Sequence, residues 1–416
     1  MVGIAKSGME SARLLKGRGD TVFITEAKND ALTRSSIDLL VKEAVLEIDH
    51  VELGSHTEKF IKKSDLMVVS PGVRPDSLPI KLAEEKGIPI ISELELAYSM
   101  CPAPIIAVTG TSGKTTTATL IGQILKKAGL DAVVCGNIGN PFSGEIRRIK
   151  KSSIVVLEVS SFQLERIDKF KPKICVILNI SSNHLDRHKD MEEYISAKSR
   201  IFSNQDKEDI LFLNGKDTLL RGFSNNARSR VEFFDEYKNF RAKYNIENDD
   251  FLAAMSVASE VGAKEGKMLE VIKNFKGIEH RLEHVMAING IDFINDSKAT
   301  TVSSVEWALK SVKGRIILIM GGRYKGGDFA LLENLVKEKV DSIISIGEAM
   351  PQIKNGLKGT REIFEAGDLK EAVIEGFKRA KKGTSILLSP GCSSFDMFKS
   401  YEERGNLFKE IIRELK

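Results

Sequence analysis

Short apolar runs rich in β-branched residues alternate along the chain with amphipathic stretches. The apolar positions within each run are continuous, which is typical of strands buried on both faces of a sheet. The stretches 115–128 and 369–380 have helical spacing, and the alternation predicts βαβ units with parallel sheets. The fold class is therefore α/β, with strands predicted at 21–25, 66–70, 105–109, 154–159, 174–179, 210–213, 292–295, 315–320, 342–346 and 385–389.

Two breaks in this alternation predict domain boundaries. Prolines at 102 and 104 precede a buried run, and the region 277–283 precedes the pair Asn289-Gly290, which is a hairpin signal. A chain of 416 residues has room for two or three domains of ordinary size. We expect three domains, at 1–92, 93–282 and 283–416.

Composition and charge narrow the class of protein. Lys plus Arg total 62 and Asp plus Glu total 58, so a net charge of +4 argues against a nucleic-acid-binding protein. No apolar run approaches the ~18 residues of a membrane span, and no secretory signal is present at the start. The four cysteines form no CxxC pair, which predicts free thiols in a reducing cytoplasm. The basic run 147–151 is expected to be a solvated helix end.

The sequence GTSGKTT at 110–116 follows a predicted strand and opens a predicted helix. Glycines let backbone amides approach phosphate oxygens, and a helix N-terminus favours an anion. Lys114 would reach the β and γ phosphates, and the Thr115 hydroxyl would ligate magnesium. The general pattern GxxxxGK[ST] has a glycine where this chain has Val108, so we predict a variant phosphate loop.

Two further strand ends carry groups suited to a metal. Glu158 is the single carboxylate of SIVVLEVSSFQL, and a carboxylate beside a phosphate loop is the expected second protein ligand for magnesium. The sequence NISSNHLDRH at 179–188 brings His184, Asp186 and His188 to the same edge. We expect His184 to assist a second metal or orient a substrate, and His188 to lie at the surface. A zinc pair is disfavoured because no glutamate follows His184, and composition alone makes Lys198 a solvated lysine.

Three loops in the last third of the chain follow predicted strands: DSKAT at 296–300, MGGRYKGGDF at 320–329 and SPGCSSFDMF at 389–398. Each alone is typical of an ordinary turn. Together they gather acids, hydroxyls, Arg323 and Lys325 at strand ends of one domain, which indicates an anionic ligand.

The N-terminal sequence VGIAKSG at 2–8 is an imperfect match to the dinucleotide-binding pattern GxGxxG, with Ala5 in the middle position. The strand that should precede it is missing. We therefore expect the native start to lie roughly ten residues upstream, from the usual length of a strand and its lead-in.

These motifs, in this order, resemble the Mur ligase family, the ATP-dependent amide-forming enzymes of peptidoglycan precursor synthesis. The resemblance covers essentially the whole chain and includes GTSGKTT, EVSSFQL, NISSNHLD, HRLE at 280–283 and DSKAT. NDSKAT together with SPGCSSFD is similar to the member that adds D-glutamate. The resemblance implies a Rossmann-like uridine-nucleotide domain, a central P-loop ATPase-type domain and a C-terminal Rossmann-like domain. It also implies a cytoplasmic monomer acting on UDP-N-acetylmuramoyl-L-alanine, D-glutamate and ATP with two Mg²⁺ ions.

The resemblance assigns residues to sites. The catalytic residues would be Lys114, His184, Lys198 and Lys298. ATP would be bound by Gly110, Thr111, Ser112, Gly113, Lys114, Thr115, Thr116, Arg281 and Asp296. The uridine nucleotide would be bound by Lys6, Ser7, Ala27, Lys28, Gly72 and Asn137, and D-glutamate by Thr300, Lys325, Ser394, Phe395 and Tyr401. The metal ligands would be Thr115, Glu158, His184 and Lys198. Lys198 joins this set because the family carbamylates the lysine at this position, which turns a cation into a metal-binding anion.

The implied reaction activates a carboxylate, which is otherwise a poor electrophile. ATP phosphorylates the alanyl carboxylate, and the amine of D-glutamate attacks the acyl phosphate. The protein would supply positioning and electrostatic stabilisation, and closure of the domains would exclude water.

The chain departs from the family pattern in three places. Asn183 stands where the family has an aspartate, and a hairpin near 225–250 is expected to be deleted. The family's GxHNxxNxxAA reads here as residues 245–254, where the His-Asn pair is gone and an acid replaces the second asparagine. Acids beside ATP phosphates would repel, so either these side chains turn away or ATP binding is weakened.

Three alternatives remain beside an active ligase. The altered segment and incomplete start would suit a degenerate homologue that binds a uridine nucleotide without catalysis. The phosphate loop alone would suit a kinase of a small metabolite, which would not need the DSKAT and SPGCSSFD loops. A related ligase such as a folylpolyglutamate synthetase also has this phosphate loop.

Overall fold

A computed structural model of the protein describes residues 1–137, 139–181, 187–324 and 326–415. The chain divides into two units, Met1–Asn274 and Phe275–Lys416. Each unit is built on parallel strands with helices between them, as the alternation of apolar runs predicts.

The first part of the N-terminal unit has short strands on either side of Val2. Val2 forms parallel bridges with Thr25 and with Val69, so it occupies the central position of a small parallel sheet. The strands are β1 (Ile24–Glu26), β2 (Val51–Leu53), β3 (Met67–Val69) and β4 (Ile90–Ser92), with β1 paired to β2 and β3 to β4. The helices are α1 (Lys6–Arg18), α2 (Ala31–Lys42), α3 (Glu58–Ile61), α4 (Leu78–Glu85) and α5 (Glu93–Met100).

The second part of this unit is a larger parallel sheet in the order β10-β9-β8-β5-β7-β6. Its strands are β5 (Ile105–Thr109), β6 (Ala132–Gly136), β7 (Ile154–Glu158), β8 (Ile174–Ile177), β9 (Ile210–Leu213) and β10 (Arg230–Phe233). Its helices are α6 (Lys114–Lys127), α7 (Phe142–Glu145), α8 (Ser161–Leu164), α9 (Met191–Ser199), α10 (Thr218–Phe223), α11 (Phe240–Tyr244), α12 (Asp249–Glu260) and α13 (Glu265–Asn274). Strands β5 and β8 are buried along their whole length, because helices cover both faces.

The C-terminal unit contains a sheet in the order β11-β12-β16-β13-β14-β15. Its strands are β11 (Glu283–Ile288), β12 (Ile291–Asn295), β13 (Arg315–Gly321), β14 (Val340–Ile346), β15 (Glu362–Glu365) and β16 (Thr384–Leu388). Its helices are α14 (Val302–Ser311), α15 (Glu333–Lys339), α16 (Met350–Gly356), α17 (Leu369–Arg379) and α18 (Tyr401–Glu414). Strands β11 and β12 are antiparallel and turn at Asn289 (φ 53°) and Gly290 (φ 75°), the hairpin that the Asn-Gly pair predicts.

Helices α6 and α17 and the predicted strands occur at the expected places, with ends displaced by a few residues at most. All four cysteines are free thiols, as predicted. Within the described ranges, no helix has the length and apolar character needed to cross a membrane.

Candidate active site

The loop 110–113 joins β5 to α6 at the carboxyl end of the central sheet. Gly113 has φ +78°, a conformation that other residues adopt only with strain. The Lys114 ammonium donates to the carbonyls of Gly110 (2.9 Å) and Thr111 (3.1 Å), and Thr115 is buried in the first turn of α6. The predicted phosphate loop therefore has a strand, a glycine turn and a helix N-terminus in the required order.

Asn179, directly beyond β8, holds this loop from the side. Its Oδ1 accepts hydrogen bonds from the amides of Thr111 (3.1 Å) and Ser112 (2.9 Å), and its Nδ2 donates to the Ser112 carbonyl (3.3 Å). The Thr111 hydroxyl also hydrogen-bonds to the Tyr194 hydroxyl (3.1 Å). Neither Asn179 nor Tyr194 was predicted as a site residue, and the only sequence signal for Asn179 is a polar residue at a strand end.

Glu158 lies at the end of β7, which pairs with β5 at Val108. Its side chain is buried, and its Oε1 accepts from Asn137 Nδ2 (2.8 Å). Its Oε2 is also buried and has no hydrogen-bond partner among the described residues. A buried carboxylate oxygen without a donor is unstable unless a cation faces it, so Glu158 suits the predicted role of magnesium ligand. Asn137, predicted to face the sugar nucleotide, donates this hydrogen bond to Glu158, and its contact with the nucleotide stays a prediction.

Lys198 is buried, in contrast to the solvated lysine that composition alone indicates. Its Nζ donates to the Gly110 carbonyl (2.9 Å) and lies 4.8 Å from the centre of the Tyr194 ring. Burial, and secondarily the charge of Lys114, lowers the pKa of Lys198 well below its usual value. A lowered pKa favours the neutral amine, which is the nucleophile that carbamylation by CO₂ requires.

His188 corrects a prediction. It was expected at the surface, but it is buried, and its Nε2 forms a hydrogen bond with Ser161 Oγ (3.0 Å). The centre of its ring lies 5.6 Å from that of Phe162 and 5.3 Å from that of Tyr194, and burial lowers its pKa. The other polar residues predicted at this edge, His184 and Asp186, lie outside the described residues.

The residues predicted to bind the uridine nucleotide follow three parallel segments. Lys6 and Ser7 come after Val2, Ala27 and Lys28 after β1, and Gly72 after β3. Because the bridges of Val2 to β1 and β3 are parallel, these residues collect at one edge of the small sheet. Lys6 Nζ donates to the Gly139 carbonyl (3.0 Å) in the loop after β6.

The segment that departs from the family pattern divides into two environments. Asn248 caps helix α12, and Arg241 pairs with Glu247 (2.9 Å) and with Asp249, so the charges of these two acids are balanced by an arginine. Asp250, in contrast, lies close to the phosphate loop. Its Oδ1 is so near Gly113 that a Cβ placed on this glycine would clash with it. One acid therefore lies against the phosphate loop.

In the C-terminal unit, the predicted ATP-binding residue Asp296 is a buried carboxylate. Its carboxylate accepts hydrogen bonds from Ser389 Oγ (2.8 Å) and the Leu282 amide (3.2 Å). Burial raises the pKa of Asp296 to about 7. Lys298 Nζ lies 5.9 Å from the centre of the Tyr401 ring, which places these two predicted residues together.

The remaining predicted residues of this unit differ in exposure. Ser394 is buried, Phe395 is half exposed, and Arg281 and Thr300 are intermediate. Lys325 lies outside the described residues.

Arg404 joins the three strand-end loops of this unit. It is 1% exposed and donates to Ser297 Oγ (2.9 Å), to the Cys392 carbonyl (3.3 Å) and to the Gly321 carbonyl (3.4 Å). Burial lowers its pKa to about 10, so the guanidinium remains charged at neutral pH. One side chain thus fixes DSKAT, the glycine-rich loop and SPGC relative to one another, which explains why three weak motifs lie together.

Comparison with known proteins defines the class. Residues 108–276 match the profile of the Mur ligase middle domain, and residues 280–392 match that of the Mur ligase glutamate ligase domain. A protein from Caldicellulosiruptor bescii is 40% identical over 100% of this chain and 97% of its own length. A protein from Koribacter versatilis is 37% identical with the same coverage of both chains. The chain therefore belongs to the Mur ligase family, a class of ATP-dependent ligases that form amide bonds.

Both relatives carry the name UDP-N-acetylmuramoylalanine–D-glutamate ligase. Among solved structures, UDP-N-acetylmuramate–alanine ligase MurC from Thermotoga maritima has a TM-score of 0.57 at 18% identity, with 100% of this chain and 99% of that chain covered. MurF ligase from the same organism, in complex with ADP, has a TM-score of 0.57 at 15% identity, covering 96% and 91%. These two structures share the fold.

Proposed function

We propose that this protein is the ATP-dependent ligase that joins D-glutamate to UDP-N-acetylmuramoyl-L-alanine in the cytoplasm, as a step of peptidoglycan precursor synthesis. The observation that carries the proposal is the phosphate loop with a buried carboxylate, Glu158, at the neighbouring strand end and a buried amine, that of Lys198 in α9, which donates to the loop. The names of the full-length relatives supply the substrates.

In the first step, an oxygen of the alanyl carboxylate attacks the γ phosphorus of ATP, and ADP leaves. The loop amides and Lys114 bind the phosphates and stabilise the charge that develops on them. In the second step, the amine of D-glutamate attacks the acyl phosphate. A C–N bond forms, the C–O bond to phosphate breaks, and the amine loses a proton. The protein positions the groups and excludes water, because the acyl phosphate would otherwise hydrolyse.

We propose that Thr115, Glu158, His184 and a carbamylated Lys198 hold Mg²⁺. The ion supplies neutralisation of phosphate charge when bound. The buried, unpartnered Oε2 of Glu158 fits this role, and so does an anion at Lys198, since a buried ammonium beside Lys114 would repel a cation. Incubation with ¹³C-bicarbonate should give a carbamate carbon resonance that is absent from Lys198→Arg. An identical spectrum for both proteins would exclude the carbamate.

The remaining assignments are extensions of the same proposal. Arg281, Asp296 and Lys298 contact ATP, and the D-glutamate pocket is formed by Thr300, Lys325, Ser394, Phe395 and Tyr401. The uridine nucleotide is bound by Lys6, Ser7, Ala27, Lys28, Gly72 and Asn137. We also propose a monomer with domains at 1–92, 93–282 and 283–416. The parallel strand ends after Val2, β1 and β3 support the nucleotide assignment.

The test is a coupled assay of ADP release. We expect ADP only when UDP-N-acetylmuramoyl-L-alanine and D-glutamate are both present, and almost none with Lys114→Ala. ADP release without the amino acid and with a stable phosphorylated product would indicate a kinase. Turnover with folate and not the muramyl nucleotide would indicate the related ligase. Nucleotide binding without any turnover would indicate the degenerate homologue.

A further inference from the structure

Arg187 connects the loop after β3 to the central sheet of the N-terminal unit. Its Nη1 donates to the Pro71 carbonyl (2.7 Å), and its Nη2 donates to the Val73 carbonyl (2.9 Å). These two carbonyls flank Gly72, which is exposed. A single guanidinium therefore fixes the backbone on both sides of Gly72 and leaves Gly72 facing outward.

Glu165 and Phe162 also hold the guanidinium of Arg187. Glu165, directly after helix α8, accepts from Arg187 Nη2 (2.9 Å) and Nε (3.3 Å). The Phe162 ring lies 4.2 Å from the guanidinium carbon. The side chains of Arg187 and Glu165 are only 11% and 16% exposed. Bidentate pairing and ring stacking restrict an arginine in a way that a lysine cannot reproduce.

Helix α8 is itself fixed to the phosphate-loop region. It follows β7, whose last residue is Glu158, and it begins with a capping box at Ser160 and Gln163. Ser161 in its first turn is hydrogen-bonded to His188, the residue after Arg187. The guanidinium thus links the loop 70–73 to the strand end that carries the proposed metal ligand.

We propose that Arg187 is a positioning residue for the nucleotide-bearing substrate: it sets the loop 70–73 relative to the Glu158 strand end. This inference depends on the proposed function, because that function gives the loop 70–73 its substrate. Glu165 and the two carbonyls accept from four of the five N–H donors of Arg187, so we infer that the guanidinium holds the loop and does not itself bind the anionic groups of the substrate. It acts through the backbone of Pro71, Gly72 and Val73.

The test compares Arg187→Lys with Arg147→Lys as the matched control. Arg147 also reaches from the central part of the unit to a carbonyl of the N-terminal part, that of Arg13 (3.2 Å), but at an exposed site on α1. For Arg187→Lys we expect KM for UDP-N-acetylmuramoyl-L-alanine to rise about tenfold, with KM for ATP and kcat within about twofold. Arg147→Lys should match the wild type.

A purely structural role gives a different result. A variant that is partly unfolded loses apparent kcat while its KM values stay unchanged, because the folded fraction still binds normally. That pattern, or an unchanged KM for the muramyl nucleotide, would overturn the proposal. Restoration of KM by ethylguanidinium added to Arg187→Ala would support it, because the added cation replaces the missing group without repairing the chain.

Glu165→Gln separates positioning from direct binding of an anion. If Arg187 positions the loop, loss of the Glu165 charge loosens the guanidinium, and UDP should bind several-fold more weakly in a calorimetric titration. If Arg187 contacts the substrate diphosphate, the same change frees the guanidinium, and UDP should bind more tightly, which contradicts the proposal. The UDP titration needs no turnover. If the wild type binds UDP normally but shows no turnover, the proposed function is rejected. The role of Arg187 in positioning the loop can still be tested by the UDP titration.

Discussion

Buried ionisable side chains mark the phosphate-loop region at the scale of single residues. Glu158 and Lys198 are each 2% exposed, and the structure shows neither in an ion pair with the other. Burying a charge without a partner costs several kcal/mol, so such residues persist where a ligand supplies the partner or a modification changes the charge. A magnesium ion would be the partner of Glu158, and a carbamate would change the charge of Lys198.

Asp250 should weaken nucleotide binding, because its carboxylate lies against Gly113 of the phosphate loop. Asp250→Asn removes the charge and keeps the shape. We expect the Kd for ATP, measured by calorimetry, to fall by about threefold to tenfold, since one unit charge near the phosphates is removed.

Glu247→Gln is the matched control for this change. Glu247 is another acid of the altered segment, but it is exposed and paired with Arg241. The Glu247→Gln variant should bind ATP with the affinity of the wild type. Equal affinities for Asp250→Asn and the wild type would show that the carboxylate has no electrostatic effect on the site.

Asp296 should make the stability of the C-terminal unit depend on pH. Burial raises its pKa from 3.8 to about 7, so between these values the folded state retains a proton that the unfolded state loses. The free energy of unfolding therefore falls as pH rises through this range, by at most about 4 kcal/mol. Asp296→Asn cannot ionise and should gain stability relative to the wild type between pH 5 and pH 8.

The measurement is urea unfolding followed by the fluorescence of Trp307, the single tryptophan of the chain. Trp307 lies in α14 of the C-terminal unit, so its signal reports this unit. Parallel pH profiles for Asp296→Asn and the wild type would mean that Asp296 ionises normally in the folded state.

Several site residues could be predicted from the sequence and others could not. Glu158 was predicted because it is a lone carboxylate at a strand end beside a phosphate loop. The burial of Lys198 and His188 was not, because it depends on Tyr194 and Phe162, which pack around them only in the folded chain. Asn179, Arg187 and Arg404 each contact a backbone atom far away in the sequence, at separations of 67, 116 and 107 residues, and local sequence carries no signal for such contacts.

At the scale of elements, the glycine that ends β6 determines how closely this strand approaches Glu158, the last residue of β7. Gly136 has φ +104°, and a Cβ at this position would clash with the Glu158 carbonyl oxygen. Gly136→Ala should lower stability by more than the ~1–3 kcal/mol of backbone strain alone and should also reduce kcat, because Glu158 is displaced.

Gly129→Ala isolates the strain contribution. Gly129 has φ +86°, and a Cβ there would have no neighbour within 4 Å. This variant should lose stability in thermal unfolding and keep the wild-type kcat. If both variants lose the same stability and both keep kcat, the contact between Gly136 and Glu158 has no role in catalysis.

Some strands could be predicted from the local apolar pattern and others could not. Long apolar strands such as β5 and β13 were found, because continuous β-branched runs have few other interpretations. The strands β2, β4, β6 and β10 and the edge strand β15, with exposed glutamates at both ends, were missed. Their stability comes from pairing with neighbours, which the local pattern does not reveal.

At the scale of the whole molecule, Phe275–Lys416 has its own core on both faces of its sheet. Helices α14 and α15 contribute Val305 and Val336 to one face, and α17 and α18 contribute Val373 and Phe408 to the other. We expect this fragment of about 140 residues to fold alone and to unfold in one cooperative urea transition reported by Trp307. A gradual change in fluorescence would show that it needs the rest of the chain. The division into three domains stays a prediction.

The central claim is that the chain forms an amide through an acyl phosphate. The most direct measurement supplies UDP-N-acetylmuramoyl-L-alanine with both alanyl carboxylate oxygens labelled with ¹⁸O, together with ATP and D-glutamate, and analyses the products by mass spectrometry. We expect a nucleotide product heavier by one glutamyl residue and inorganic phosphate that carries one labelled oxygen. Unlabelled phosphate, or no glutamyl product, would contradict the account.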